Sequence, residues 1–153
     1  MSRAFVKETD DDTPELPERP VSSHPNLVTP EGFAAIGREI ARLDAARAGA
    51  AAADDKTALA VIARDLRYWT ARRASAQVVA APSDPGTVQF GATVSLKRDD
   101  GRVQTFRIVG EDEAEPSRGT LSHVSPLARA LLGRAVGDVV EVPGGEAEIL
   151  TIG

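Results

Sequence analysis

At 153 residues the chain has room for one compact domain or two small units, and too little for a large enzyme core. It contains no cysteine, which excludes disulfides, a thiol nucleophile and thiolate metal sites, and His24 and His123 lie too far apart in sequence to suggest a two-histidine metal pair. The net charge of −5 is uneven: residues 1–28 hold three Lys/Arg and six Asp/Glu, residues 29–79 eight and six, and residues 80–153 seven and eleven, so the concentrated basic footprint of a stand-alone duplex binder is missing and a protein partner is favoured.

No apolar run approaches the roughly 20 residues that span a bilayer, and the start lacks the basic and apolar regions of a signal peptide. The expectation is a cytoplasmic protein without membrane contact. Only six residues are aromatic, so any core rests on Ala, Val, Leu and Ile.

In chain order, residues 1–28 read as a flexible, acidic, Pro-rich arm, with Asp10, Asp11 and Asp12 followed by Pro14, Pro17, Pro20 and Pro25. Phe5 and Val6 are its candidates for clipping on as a short strand. Residues 29–79 read as an antiparallel helical hairpin. Thr29, Pro30 and Glu31 form a helix start: a hydroxyl cap, a proline whose missing N–H costs nothing at the first helical position, and an acid near the positive end of the dipole. Phe33, Ile36, Ile40 and Leu43 follow at coiled-coil spacing, with Gly49 as the expected end. After a tip at Ala50–Asp55, Leu59, Ile62, Leu66 and Trp69 repeat the seam, and Arg64, Asp65, Arg67, Arg72 and Arg73 fall off it.

Residues 80–86 form a linker with two prolines, and residues 87–153 change to a period of two. Ala92–Arg98 and Arg102–Val109 flank an Asp99-Asp100-Gly101 turn as a hairpin requires, and an acidic loop at Glu111–Glu115 leads to a strand around Leu121–Val124. Ser125 and Pro126 open a short helix, Leu127–Leu132, closed by Gly133. A last hairpin runs from Val139–Val142 through Pro143-Gly144-Gly145 to Ile149–Ile152. The fold class is therefore α+β: an N-terminal antiparallel coiled-coil hairpin, then a small β-rich domain with one short helix.

Four blocks carry a resemblance: Phe90-Gly91-Ala92-Thr93-Val94, Arg107–Ala114, Ser125–Gly133, and Gly137–Val140 leading into Pro143–Glu146. On these residues the chain resembles the Gre transcript-cleavage and elongation factor family of bacteria, from about Thr29 onward. The resemblance implies an FKBP-like C-terminal domain seated at the rim of the secondary channel of bacterial RNA polymerase, with the hairpin inserted into the channel. It implies polymerase-binding roles for Asp112, Ser125, Pro126 and Arg129. Ser125 and Pro126 are also accounted for as helix cap and first turn, and both roles can coexist.

The resemblance also implies an acidic hairpin tip that supports a catalytic metal in the polymerase, since an added carboxylate retains a weakly bound ion in two-metal chemistry. The tip candidates here are Asp54 and Asp55, which equally suit helix capping, and the family's usual acidic-tip motif is not present around them. From Pro30 to about Ala48 the arm is about 28 Å long at 1.5 Å per residue. The family's cleavage factors carry longer arms, so the chain resembles the shorter-armed Rnk-like branch.

The expected function is modulation of elongation by a protein that is not itself an enzyme and needs no cofactor of its own. It acts as a monomer and touches nucleic acid only indirectly, through the transcription complex. The alternative is an active cleavage factor using Asp54 and Asp55 to support a polymerase-bound Mg ion. A prolyl isomerase is disfavoured, because Phe90 and Phe106 are the only aromatics after the linker and a core claims both. A nucleic-acid face of Arg38, Arg42, Arg64 and Arg67 is disfavoured by the interleaved Glu39, Asp44 and Asp65.

Overall fold

The computed structural model describes residues 16–153, so Phe5, Val6 and Asp10 to Asp12 lie outside the described residues. The chain is α+β and divides into two compact units. One joins residues 16–21 to Ile36–Ala74, and the other joins Ser22–Ala35 to Ser75–Gly153.

The helical unit is built on α1 (Pro30–Ala52) and α2 (Lys56–Ser75). Ile36, Ile40, Leu43 and Ile62 are buried, so the heptad spacing does place an apolar seam. Three sequence expectations are corrected here. The first helix does not stop at Gly49 but runs to Ala52, because Ala50 to Ala52 are the strongest helix formers and outweigh the cost of one glycine, about 1 kcal/mol. Phe33, assigned to the seam, is 38% exposed. Arg72, assigned to the solvated face, is only 1% exposed: it follows Trp69 by three residues, so it continues the inward stripe.

Residues 16–21 belong to this unit as an extended strap on α2. The Arg19 guanidinium lies 4.0 Å from the centroid of the Tyr68 ring and 5.6 Å from that of Trp69, and it reaches Asp65 at 3.4 Å. Glu18 pairs with the Arg67 guanidinium, accepting from Nε at 2.8 Å. That hydrogen bond holds the Glu18 carboxyl below the ordinary glutamate range. The strap is thus attached through one acid and one arginine whose partners all lie within residues 65–69 of α2.

In the other unit a two-residue strand β1 (Leu27–Val28) pairs in parallel with β2 (Gln77–Val78), joining the segment before α1 to the segment after α2. Beyond an irregular stretch lie β3 (Thr93–Arg98), β4 (Val103–Val109), β5 (Thr120–Ser122), the helix α3 (Pro126–Leu131), β6 (Val139–Val142) and β7 (Gly145–Ile152). The sheet order is β5-β4-β3-β7-β6, antiparallel throughout except for the parallel pair β4 and β5. The turn from β3 to β4 uses Gly101 at φ 86 with Asp100 accepting from the Arg102 N–H, as the Asp-Asp-Gly sequence predicts. The strand expected around Leu121–Val124 ends at Ser122, because Ser125 N–H donates to the Ser122 carbonyl and turns the chain into α3. Val94, Leu96, Ile108, Leu131 and Ile149 are fully buried and form the centre of this unit's core.

Candidate functional site

The parallel pairing of β4 with β5 sets Ile108 opposite Leu121 and Val109 opposite Ser122, so both strands end on the same side of the sheet. The turn holding Asp112 (Glu111–Glu113) follows β4 there, and the turn into α3 follows β5 there. His123 N–H donating to the Val109 carbonyl at 2.9 Å ties the two exits together. Topology thus brings Asp112, Ser125 and Pro126 to one end of the sheet, although thirteen positions separate Asp112 from Ser125 in the sequence.

Ser125 is the N-cap of α3: its hydroxyl accepts from the Ala128 N–H at 3.2 Å, and its carbonyl accepts from the Arg129 N–H at 2.9 Å. Pro126 occupies the first helical position and is exposed, as is Arg129. Ala128 and Leu131, fully buried on the opposite face, pin the helix to the core. The geometry leaves a rigid rim of Pro126 and Arg129 with half-buried Asp112 at the neighbouring turn.

The residue that sequence reading missed is Glu113. A capping box places an acid at the third helical position to accept from the cap's own N–H. In α1 that position is Gly32, and Glu113, from a loop 84 residues away, takes the role. One carboxylate oxygen accepts from Thr29 N–H at 3.0 Å and from Gly110 N–H at 3.0 Å, while the other pairs with the Thr29 hydroxyl. The same hydroxyl accepts from Gly32 N–H at 3.0 Å. Thr29 is fully buried. A Cβ at Gly32 would fall 2.1 Å from the Glu113 carboxyl carbon, so any side chain there displaces the carboxylate from its present position. Beside it, Arg107 reaches Glu31 at 2.9 Å. The only advance signals were the Thr29 cap without its acid and an acidic loop at Glu111–Glu115, of which only Asp112 had been given a role.

At the far end of α1 the two candidate tip acids have distinct backbone tasks. Asp54 N–H donates to the Ala51 carbonyl and Asp55 N–H to the Ala50 carbonyl, the Schellman pattern, with Asp54 in the left-handed conformation at φ 53. Asp55 then caps α2, its carboxylate accepting from Ala58 N–H at 3.1 Å. Asp54 is exposed, and its carboxylate has no such capping task.

Comparison with known proteins adds the family. The family model "Transcription elongation factor, GreA/GreB, C-term" matches residues 82–152. The transcription elongation factor GreA of Desulfovibrio desulfuricans is 36% identical, covering 82% of this chain and 91% of that protein. The transcription elongation factor GreB of Xanthomonas axonopodis pv. citri is also 36% identical, covering 87% of this chain and 92% of that protein. Against some curated relatives the match is shorter: with GreA of Alkalilimnicola ehrlichii it reaches 52% identity but spans 48% of this chain and 50% of that protein. The alignment to the Desulfovibrio protein runs over 149 positions yet draws on 82% of this chain, so roughly two dozen of its positions are filled by the relative alone. The chain belongs to the GreA/GreB family of transcription elongation factors.

Proposed function

We propose that the chain binds bacterial RNA polymerase at the rim of its secondary channel, presents the hairpin to the channel, and modulates elongation without efficient transcript cleavage. On this reading it is a cytoplasmic, monomeric regulator without a cofactor of its own. It docks through Asp112, Ser125, Pro126 and Arg129.

The observation that carries the reading is the state of the tip. Asp55 spends its carboxylate on the first turn of α2, and the arm that presents it spans 23 residues, about 34 Å. That is one turn beyond the sequence expectation. A carboxylate held several ångströms short of a metal contributes nothing to its coordination, because calcium- and magnesium-type bonds are about 2.0–2.6 Å long.

A second reading has one observation in its favour. Asp54 is exposed at the tip in a backbone conformation that glycine would adopt with less strain, which leaves its carboxylate available to a polymerase-bound Mg ion. Co-purification with RNA polymerase tests docking: wild type should be retained, and Ser125→Glu/Pro126→Ala should be lost while keeping its melting temperature within a few degrees. Equal retention of both proteins contradicts the proposed surface.

A further inference from the structure

The arginines of the sheet unit are nearly all engaged. Arg102 pairs with Asp100, Arg107 with Glu31 and Arg118 with Glu115. Arg98 donates to the Gln104 side chain and to the Pro143 carbonyl. Among the described residues of this unit, Arg129 and Arg134 are the exceptions: both are exposed, and neither guanidinium makes an ion pair or a hydrogen bond. Neither donates to a carbonyl at the end of α3, the local role that would otherwise account for two arginines placed there. Five positions separate them, so their backbones stand within about 18 Å of one another.

Arg134 has a fixed backbone. Its N–H donates to the Leu131 carbonyl at 3.0 Å, and its carbonyl accepts from the N–H of buried Val88 at 2.8 Å. Gly133 N–H donates in return to the Val88 carbonyl at 2.9 Å, with Gly133 at the positive φ of 85 that the turn out of α3 requires. Downstream, the Asp138 carboxylate accepts from the Ala135 N–H at 2.8 Å, and Gly137 N–H donates to the Ile149 carbonyl at 2.8 Å. Between these ties Val136 is 58% exposed. The segment therefore presents a cation and an apolar side chain on a backbone that needs little further ordering when a partner binds.

We propose that residues 133–138 form a second docking element, in which Arg134, together with Arg129, receives a carboxylate-bearing patch of the protein partner while Val136 supplies an apolar contact beside it. The inference rests on the polymerase-docking reading above and adds the chemistry of the surface that is met. Charge favours protein carboxylates over nucleic-acid phosphates. Residues 80–153 hold seven Lys/Arg against eleven Asp/Glu, so a phosphate backbone tracking this unit meets repulsion, whereas two unpaired guanidiniums match a compact acidic patch.

The test is the affinity of the full-length chain for RNA polymerase core enzyme free of nucleic acid, at low and at high salt. Wild type should bind, Arg134→Glu should bind about tenfold more weakly at low salt, and Arg134→Gln should fall between them. The differences should shrink at high salt, where screening shortens the reach of the charges. Lys97→Glu, the same change of charge at an exposed position of β3, should bind like wild type. The backbone bonds at Arg134 do not use its side chain, so each variant should keep the wild-type melting temperature. A wild type that does not bind removes the docking reading and this element with it. The element alone is overturned if wild type binds and Arg134→Glu binds equally well, or if Lys97→Glu weakens binding as much. It is also overturned if the Arg134→Glu defect appears only with nucleic acid present, which would assign the arginines to phosphate.

Discussion

Single residues decide how the hairpin begins and how it turns. Glu113 serves donors of a fully buried threonine and of Gly110, so Glu113→Ala leaves donors without their acceptor and should destabilise the sheet unit by about 1–3 kcal/mol in urea unfolding. A change below a few tenths would mean that water replaces the carboxylate. Gly32→Ala, which drives a methyl into that carboxylate, should cost a similar amount despite alanine's better helix propensity. Asp54→Gly tests the opposite end: relief of the left-handed strain should raise stability by roughly 0.5–1 kcal/mol, and a loss instead would show that the carboxylate makes a contact of its own. The sequence displayed half of each arrangement. Thr29-Pro30 announced a cap, but the acid completing it lies 84 residues away, and no local pattern encodes a partner at that separation. Asp54 and Asp55 announced a helix boundary, but not which of them takes the left-handed turn and which the cap.

Elements were legible in proportion to their length and period. The strands of the five-stranded sheet carry alternation and turn residues, and α3 carries a serine cap, a proline and a closing glycine, so their positions follow from the residues. β1 and β2 are two residues each, too short to show any period, and only the tertiary pairing of Leu27 with Gln77 creates them. The strap was illegible for the same reason: proline-rich composition signals extended chain, but Glu18 and Arg19 find their partners only once α2 exists. Its electrostatics make a signed prediction. Because Arg67 lowers the Glu18 carboxyl below the ordinary glutamate range, the pair's contribution is fully present above that range and is lost as pH falls through the lowered value. A carboxyl titration followed by NMR should place Glu18 below an exposed glutamate, and Arg67→Gln should return it to the ordinary range. A Glu18 titrating normally in the wild type would mean that the strap does not hold in solution. Arg19→Ala should loosen the strap as well, removing a cation–π contact worth about 0.5–1 kcal/mol.

At the scale of the whole molecule, the family sets the setting and the tip sets the outcome. A sheet unit carries the proposed docking surface at α3, and a helical unit carries two tip acids, of which one is already committed to capping α2. Family membership alone does not choose between assisting and withholding cleavage, because that choice depends on whether a carboxylate arrives within bonding distance of a metal. The decisive measurement uses a stalled, backtracked RNA polymerase complex with Mg ion, followed for RNA shortening with saturating protein. The account predicts that the protein is retained on the complex, and slows shortening by an added active cleavage factor, while producing no shortening itself. Robust, metal-dependent shortening by the protein alone, abolished in Asp54→Ala/Asp55→Ala, would contradict it.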